Sequence, residues 1–275
     1  MELIGNSAQI ARINTMSKQI ALTDSNVLIS GEHGSGKGLI AQIIHNNSTR
    51  NNKPYITINC AILNVDAMSR ALFGYEEGTD VTRGALEKAD GGTIFLKEID
   101  SMPIELQKRL LYFLQTQKLV RINGNETIFT DVRIIVATTQ NLETMVCKQN
   151  FLIDLYNSLA TDNINVPTLR ERREDIPLLI EHILDQILPL MPICEFAQEV
   201  MHKFMTYKWP GNILELINTI ERLCIMYPKQ MITINHLPKE FTDVRSNLFN
   251  MNQVVIVKSD LATKSFDLKD HLEKI

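Results

Sequence analysis

The stretch Gly31-Glu32-His33-Gly34-Ser35-Gly36-Lys37 fits the pattern G-x-x-x-x-G-K. It follows a short apolar run, Val27-Leu28-Ile29, and precedes Leu39, Ile40, Ile43 and Ile44, which recur at helical spacing. A strand, a glycine loop and a helix in that order make an anion site. The glycines let successive N–H groups point inward, the helix N-terminus adds partial positive charge, and the lysine reaches the outer phosphates. The expected nucleotide-binding residues are therefore Gly31, Glu32, His33, Gly34, Ser35, Gly36, Lys37 and Gly38. ATP or ADP is the expected ligand. A Ser or Thr usually follows the lysine and offers magnesium a hydroxyl; Gly38 cannot, so magnesium is doubtful and no metal ligand is assigned. His33 reads as a solvent-facing loop side chain rather than a base.

A nucleotide site needs a second element, an apolar strand ending in acidic residues, and Thr93-Ile94-Phe95-Leu96-Lys97-Glu98-Ile99-Asp100 has that shape. Glu98 is the candidate catalytic base.

The elements that position these residues alternate. An opening helix is expected over Ser7–Ala21, strands at Tyr55–Asn59, Thr93–Leu96 and Val132–Ala137, and helices at Val65–Phe73 and Pro103–Thr116. Asn123-Gly124 between Leu119–Ile122 and Thr127–Phe129 predicts a hairpin with a tight turn. Strands alternating with helices imply a parallel sheet flanked by helices. Beyond Pro167 the pattern becomes helical, at Asp175–Leu188, Glu195–Tyr207 and Gly211–Met226. The expected division is an α/β domain over 1–170, a small all-α lid over 171–241, and a tail over 242–275 with a weak strand at Val254–Val257 and a helix at Phe266–Ile275.

Composition narrows the classes. The chain has 275 residues, 44% of them hydrophobic and 22% charged, with a net charge of −4, which suits a globular protein and not a basic nucleic-acid clamp. No apolar run is long enough for a membrane span, and Met1–Gly5 has no signal-peptide pattern, so a cytoplasmic protein without membrane contact is expected. Cys60, Cys147, Cys194 and Cys224 lack metal-ligand spacing and read as reduced structural thiols.

The strand Gly91-Gly92-Thr93-Ile94-Phe95-Leu96-Lys97-Glu98-Ile99 resembles the G-G-T-L-F-L-D-E-I stretch of the AAA+ domain of NtrC-type enhancer-binding regulators. The likeness runs from about Leu3 to Phe241 and includes Leu72-Phe73-Gly74, Asp131-Val132-Arg133, Leu169 to Pro177 and Trp209-Pro210-Gly211-Asn212. It implies an AAA+ P-loop NTPase fold with a helical lid. Several family features are altered. The G-A-F-T-G-A loop that contacts sigma-54 polymerase is missing between Gly74 and Gly84, a shortening that looks most like the NtrX branch of response regulators. Glu is common in that family where Gly38 stands, so the missing hydroxyl is a family feature, whereas Lys97 replaces the metal-organising Asp. Unit charges ~4 Å apart interact by ~4 kcal/mol at an effective dielectric of ~20, so an inward Lys97 opposes a divalent ion, whereas an outward one simply deletes a function. Leu152 and Ser158 stand at the positions of two arginines that serve the neighbouring subunit, Leu214 at the lid arginine, and Thr139 at the sensor Asn. Arg170, Arg172 and Arg173 read mostly as linker charges paired with Glu171, Glu174 and Asp175.

The resemblance implies an ATP-binding module of an NtrX-like two-component transcription regulator, and the departures from it predict little or no hydrolysis and no remodelling of sigma-54 polymerase. The alternatives are an active oligomeric ATPase regulator, with Arg170, Arg172 or Arg173 as substitutes, and a nucleotide-free interaction scaffold. Homo-oligomers and the transcription machinery are the candidate partners. Neither a receiver nor a helix-turn-helix is legible, so specific DNA binding by this chain is not expected.

Overall fold

The computed structural model describes residues 3–187 and 194–242. In chain order the strands are β1 Val27–Ser30, β2 Tyr55–Asn59, β3 Tyr75–Glu77, β4 Asp80–Thr82, β5 Thr93–Lys97, β6 Lys118–Val120, β7 Thr127–Phe129, β8 Arg133–Thr138, β9 Asp162–Asn165, β10 Glu195–Phe196 and β11 Met231–Ile232. The helices are α1 Ala8–Ala21, α2 Lys37–Asn46, α3 Val65–Phe73, α4 Ala85–Lys88, α5 Ile104–Thr116, α6 Leu142–Cys147, α7 Ile153–Leu159, α8 Ile176–Ile187, α9 Gln198–Thr206, α10 Asn212–Met226 and α11 Lys239–Thr242.

By packing, the described residues form two compact units, one from 3–179 with Lys208–Ile217, the other from the described parts of 180–207 and 218–242. The first is built on a parallel five-stranded sheet in the order β2-β5-β8-β1-β9. Strand alternation sorts its side chains to two faces. Leu28, Ile94, Leu96, Ile134 and Val136 face one core with α3, α5 and α7. Val27, Ile29, Phe95, Ile135 and Ala137 face another with α1 and α2. Covered on both faces, the central strands are apolar on both sides along their middles, with polar residues such as Thr93, Arg133 and Thr138 only at their ends. Local signals fix some helix starts: Asn64 accepts from the Ala67 N–H and Asn141 from the Thr144 N–H, each at 2.8 Å, as side-chain caps.

Four features differ from the sequence expectation. β9 completes the sheet, yet of its residues only Ile164 is buried, so an edge strand supplied no apolar run to detect. The hairpin β6–β7 pairs Val120 with Thr127, so its connection spans 121–126 rather than Asn123-Gly124 alone. A second hairpin, β3–β4, occupies the segment after Gly74. In the second unit a two-residue parallel pair, β10–β11, joins the helices, and Phe204 stacks edge-on with Phe196 and Phe241 at 5.6 and 5.7 Å. Cys194 and Cys224, distant in sequence, meet there with sulfurs 3.0 Å apart, and burial pushes the Cys194 thiol up to about 12, which keeps it protonated. The expected strand at Val254–Val257 and helix at Phe266–Ile275 lie outside the described residues. Among the described residues no helix is long and apolar enough to cross a membrane.

Candidate functional site

Parallel pairing brings the C-terminal ends of β1, β5 and β8 to one edge of the sheet, where ligands bind in open α/β folds. Gly31 leaves β1 with its N–H on the Thr138 carbonyl at 3.3 Å. The loop then turns through Gly34 (φ 72°) and Gly36 (φ 103°), conformations that side chains oppose. Gly34 has a second reason to be glycine, since a Cβ there would collide with the Gly211 carbonyl oxygen. Gly36 leads into α2, which has no side-chain cap, so partners for its first N–H groups must come from outside the helix. Lys37 Nζ donates to the Gly31 and Glu32 carbonyls at 2.8 and 3.0 Å. Burial pulls the Lys37 ammonium below its ordinary value, against the attraction of Glu98 and Asp100. Ser35 Oγ is buried without a hydrogen-bond partner among the described residues. His33 is exposed and contributes its carbonyl to the loop's anchorage. A cradle of backbone N–H groups with a lysine is fitted to a phosphate chain.

Opposite the loop, Glu98 follows β5 in a left-handed conformation (φ 51°, ψ 52°), which costs a non-glycine residue about 1–2 kcal/mol. Its Oε2 accepts from Thr139 Oγ1 at 3.1 Å, and Asp100 Oδ1 accepts from Thr138 Oγ1 at 2.6 Å. The expected base and sensor are thus neighbours, joined through hydroxyls. Lys97 does not turn away. Its stem lies against the start of α2, where a methyl on Gly38 would meet Lys97 Cε at 3.9 Å and Phe95 Cε1 at 3.8 Å. Neither position offers magnesium a ligand, since glycine has no donor atom and an ammonium repels the cation. The family's magnesium does not fit these residues.

The segment Lys208–Ile217 closes on the loop. Asn212, fully buried, donates to the His33 carbonyl at 2.9 Å and to Glu32 Oε2 at 3.2 Å, and accepts from the Leu169 N–H at 2.9 Å. The Ile213 N–H donates to the Gly34 carbonyl at 3.0 Å. Leu214 is carried to the same spot, its Cβ 3.0 Å from where a Gly34 Cβ would stand, and brings no charge. Two of the arginines before α8, Arg170 and Arg172, hydrogen-bond to the loop as well as feeling the expected neighbours Glu171 and Asp175. Arg170 forks onto Glu32 at 2.8 and 2.5 Å, holding the Glu32 carboxyl below its ordinary value. Arg172 is buried and donates to the Ser35 carbonyl at 3.2 Å; burial lowers its guanidinium, with Asp175 acting the other way. Asp175, also buried, accepts from the Asn6 and Ser7 N–H groups at 2.7 and 2.9 Å and from Ser7 Oγ at 2.6 Å. Asn212 and Asp175 were not singled out as site residues; only their membership of recognisable motifs could have flagged them.

On α7, Ser158 donates to the Asp154 carbonyl at 2.8 Å and Leu152 is the N-cap, so neither position carries a cation. The β3–β4 hairpin turns at Gly78-Thr79 and is tied down. Glu76 N–H donates to the Ile122 carbonyl at 2.9 Å, and Arg121 forks onto Glu87 at 2.8 Å and reaches Glu76 at 2.9 Å.

Comparison with known proteins agrees with this geometry. Residues 3–165 match the model of the Sigma-54 interaction domain, and residues 170–253 that of the AAA+ ATPase lid domain. The DNA-binding transcriptional regulator NtrC of Azospirillum brasilense is 38% identical over 88% of this chain and 52% of its own length. An uncharacterised protein in the HyuA 5′ region of a Pseudomonas species is 34% identical over 99% of this chain and 92% of its own. Among solved structures, NtrX from Brucella abortus in complex with ATP superposes with a TM-score of 0.81 at 36% identity, over 88% of this chain and 57% of that one. The ADP complex gives 0.82 at 37% identity, over 88% and 56%. The chain thus spans about half the length of NtrC and NtrX and most of the Pseudomonas relative.

Proposed function

The chain belongs to the Sigma-54 interaction domain family of AAA+ proteins, and from that premise we propose that it is the ATP- or ADP-binding module of an NtrX-like two-component transcription regulator, acting in the cytoplasm. It holds its nucleotide through Gly31–Gly38 and turns it over little or not at all. The observation that carries this reading is the contrast between a complete phosphate loop and the catalytic positions that have lost their charges. Lys37 and its backbone cradle are complete, while Lys97, Leu152, Ser158 and Leu214 leave the transferring phosphate without a metal-organising acid or arginine. One arginine finger is typically worth ~10³–10⁵ in kcat. Its loss alone reduces turnover to a trickle. Glu98 remains as the candidate base, with Thr139 as its sensor partner.

That NtrX from Brucella abortus was crystallised with ATP and with ADP supports nucleotide binding by a pocket of this kind. The engagement of Arg170 with Glu32 and of Arg172 with the Ser35 carbonyl counts against either as a substitute for the lost arginines. The tied-down β3–β4 hairpin supports a module that does not remodel sigma-54 polymerase. The working domain division is 1–170, 171–241 and 242–275, and homo-oligomers and the transcription machinery are its proposed partners.

Two measurements test the proposal together. Thermal unfolding with millimolar ATP or ADP is expected to show a ligand-dependent rise in Tm. Phosphate release at high protein concentration is expected to stay far below ~1 s⁻¹, the low end of ordinary enzymes. Turnover at that rate, abolished by Lys37→Ala, overturns the reading of lost catalysis; no Tm rise with either nucleotide overturns the binding reading and favours the scaffold.

A further inference from the structure

Resting on the nucleotide-binding reading above, we propose that this pocket takes ATP or ADP without a divalent cation, the Lys97 ammonium supplying the counter-charge in its place. Magnesium in a phosphate-loop site is held by the hydroxyl that follows the loop lysine and by an acid at the end of a neighbouring strand. Here those positions are Gly38 and Lys97, and the fold sets them side by side, with Lys97 Cε 3.9 Å from the point a Gly38 Cβ would occupy. The buried Phe95 ring supports the lysine stem, with Lys97 Nζ 6.0 Å from its centroid. An ammonium has three donors and no acceptor, so it cannot ligate a metal, and it repels one. Toward phosphate oxygens the same group is a donor and a counter-charge. The remaining acids already accept hydroxyls, Asp100 from Thr138 and Glu98 from Thr139. The reversed charge at Lys97 therefore removes an acid the ion requires and supplies the counter-charge that the nucleotide then lacks.

Calorimetric titration of ADP into the whole chain, once in excess magnesium chloride and once in excess EDTA, tests this. Dissociation constants within about threefold of each other are expected, whereas weakening by about tenfold or more in EDTA overturns the inference. In that second case nucleotide binding itself stands; absence of binding in both buffers overturns both readings. Lys97→Asp is expected to restore dependence on the ion, and Lys97→Met, which keeps the stem along Phe95, to weaken binding in EDTA by about tenfold. Circular dichroism establishes that each variant is folded, and a folded Lys97→Met that binds as tightly as wild type in EDTA overturns the proposal. Free Mn²⁺ read by electron paramagnetic resonance adds an independent probe. Wild type with ADP is expected to leave the manganese signal at the level of ADP alone, and further loss of signal counts against the proposal.

Discussion

The loop between β1 and α2 and the acidic end of β5 face each other across one sheet edge, yet they have met the sequence changes very differently. The loop side works mainly through backbone. On the proposed function, its N–H groups, the glycine conformations at Gly34 and Gly36, and a single ammonium hold the phosphates. Hydrolysis works through side chains at scattered positions, Lys97 at the end of β5, Leu214 beside the loop, and Leu152 and Ser158 at α7, where the family's arginines serve the neighbouring subunit. Binding is therefore the robust half of an AAA+ site and hydrolysis the fragile half. A protein can lose the second while the scaffold that supports both stays folded.

The largest expected effect comes from rebuilding the fragile half. Combining Lys97→Asp, Leu152→Arg, Ser158→Arg and Leu214→Arg is expected to raise ATP turnover by ~10³-fold or more, the scale of one arginine finger. Each single change should give little. A wild type already turning over near ~1 s⁻¹ breaks the comparison outright.

Next in size is the anchorage of the loop side. Asp175→Ala strands the Asn6 and Ser7 N–H groups, the Ser7 hydroxyl and the buried Arg172 charge, and is expected to cost about 3 kcal/mol in denaturant unfolding. A loss below about 1 kcal/mol would show that water takes over this cluster.

Lys37 separates function from stability. Wild type at a nucleotide concentration ~100 times Kd gains about 2.7 kcal/mol, and Lys37→Met is expected to lose nearly all of it. Without ligand the sign is opposite. Burial sets the folded value below the unfolded one, so at neutral pH the unfolded chain holds this proton more tightly and ionised Lys37 opposes folding. That opposition fades as pH rises toward the ordinary lysine value. Lys37→Met is therefore expected to be at least as stable as wild type at neutral pH, with the gap narrowing on the alkaline side; a less stable apo variant contradicts this.

The smallest effect is expected at the rim. Arg170→Ala removes a fork to Glu32 between side chains that are 37% and 42% exposed, so less than about 1 kcal/mol should be lost. A large fall in nucleotide affinity would move Arg170 from anchorage into the binding site.

Much of this was legible in the chain itself because the relevant signals are local. Glycine spacing beside an apolar run specifies the loop, and apolar periodicity specifies α1, α2, β5 and β8. β9 was illegible because its strand character comes from pairing with β1 and not from its own polar residues. The six-residue connection of β6–β7 was missed because the Asn-Gly dipeptide fixes a positive φ at Asn123 without fixing where pairing begins.

Sequence by itself determined which chemical groups are present: a complete phosphate loop, one candidate base, and neutral or reversed residues where acids and arginines are expected. Only tertiary structure decided where they point. It turned Lys97 inward beside Gly38, joined Arg170 to Glu32 by hydrogen bonds, and seated Asn212 between the loop and Leu169. The reason is physical: composition and spacing encode what a residue can do within a few bonds, while the direction of a charge depends on the packing of distant segments around it.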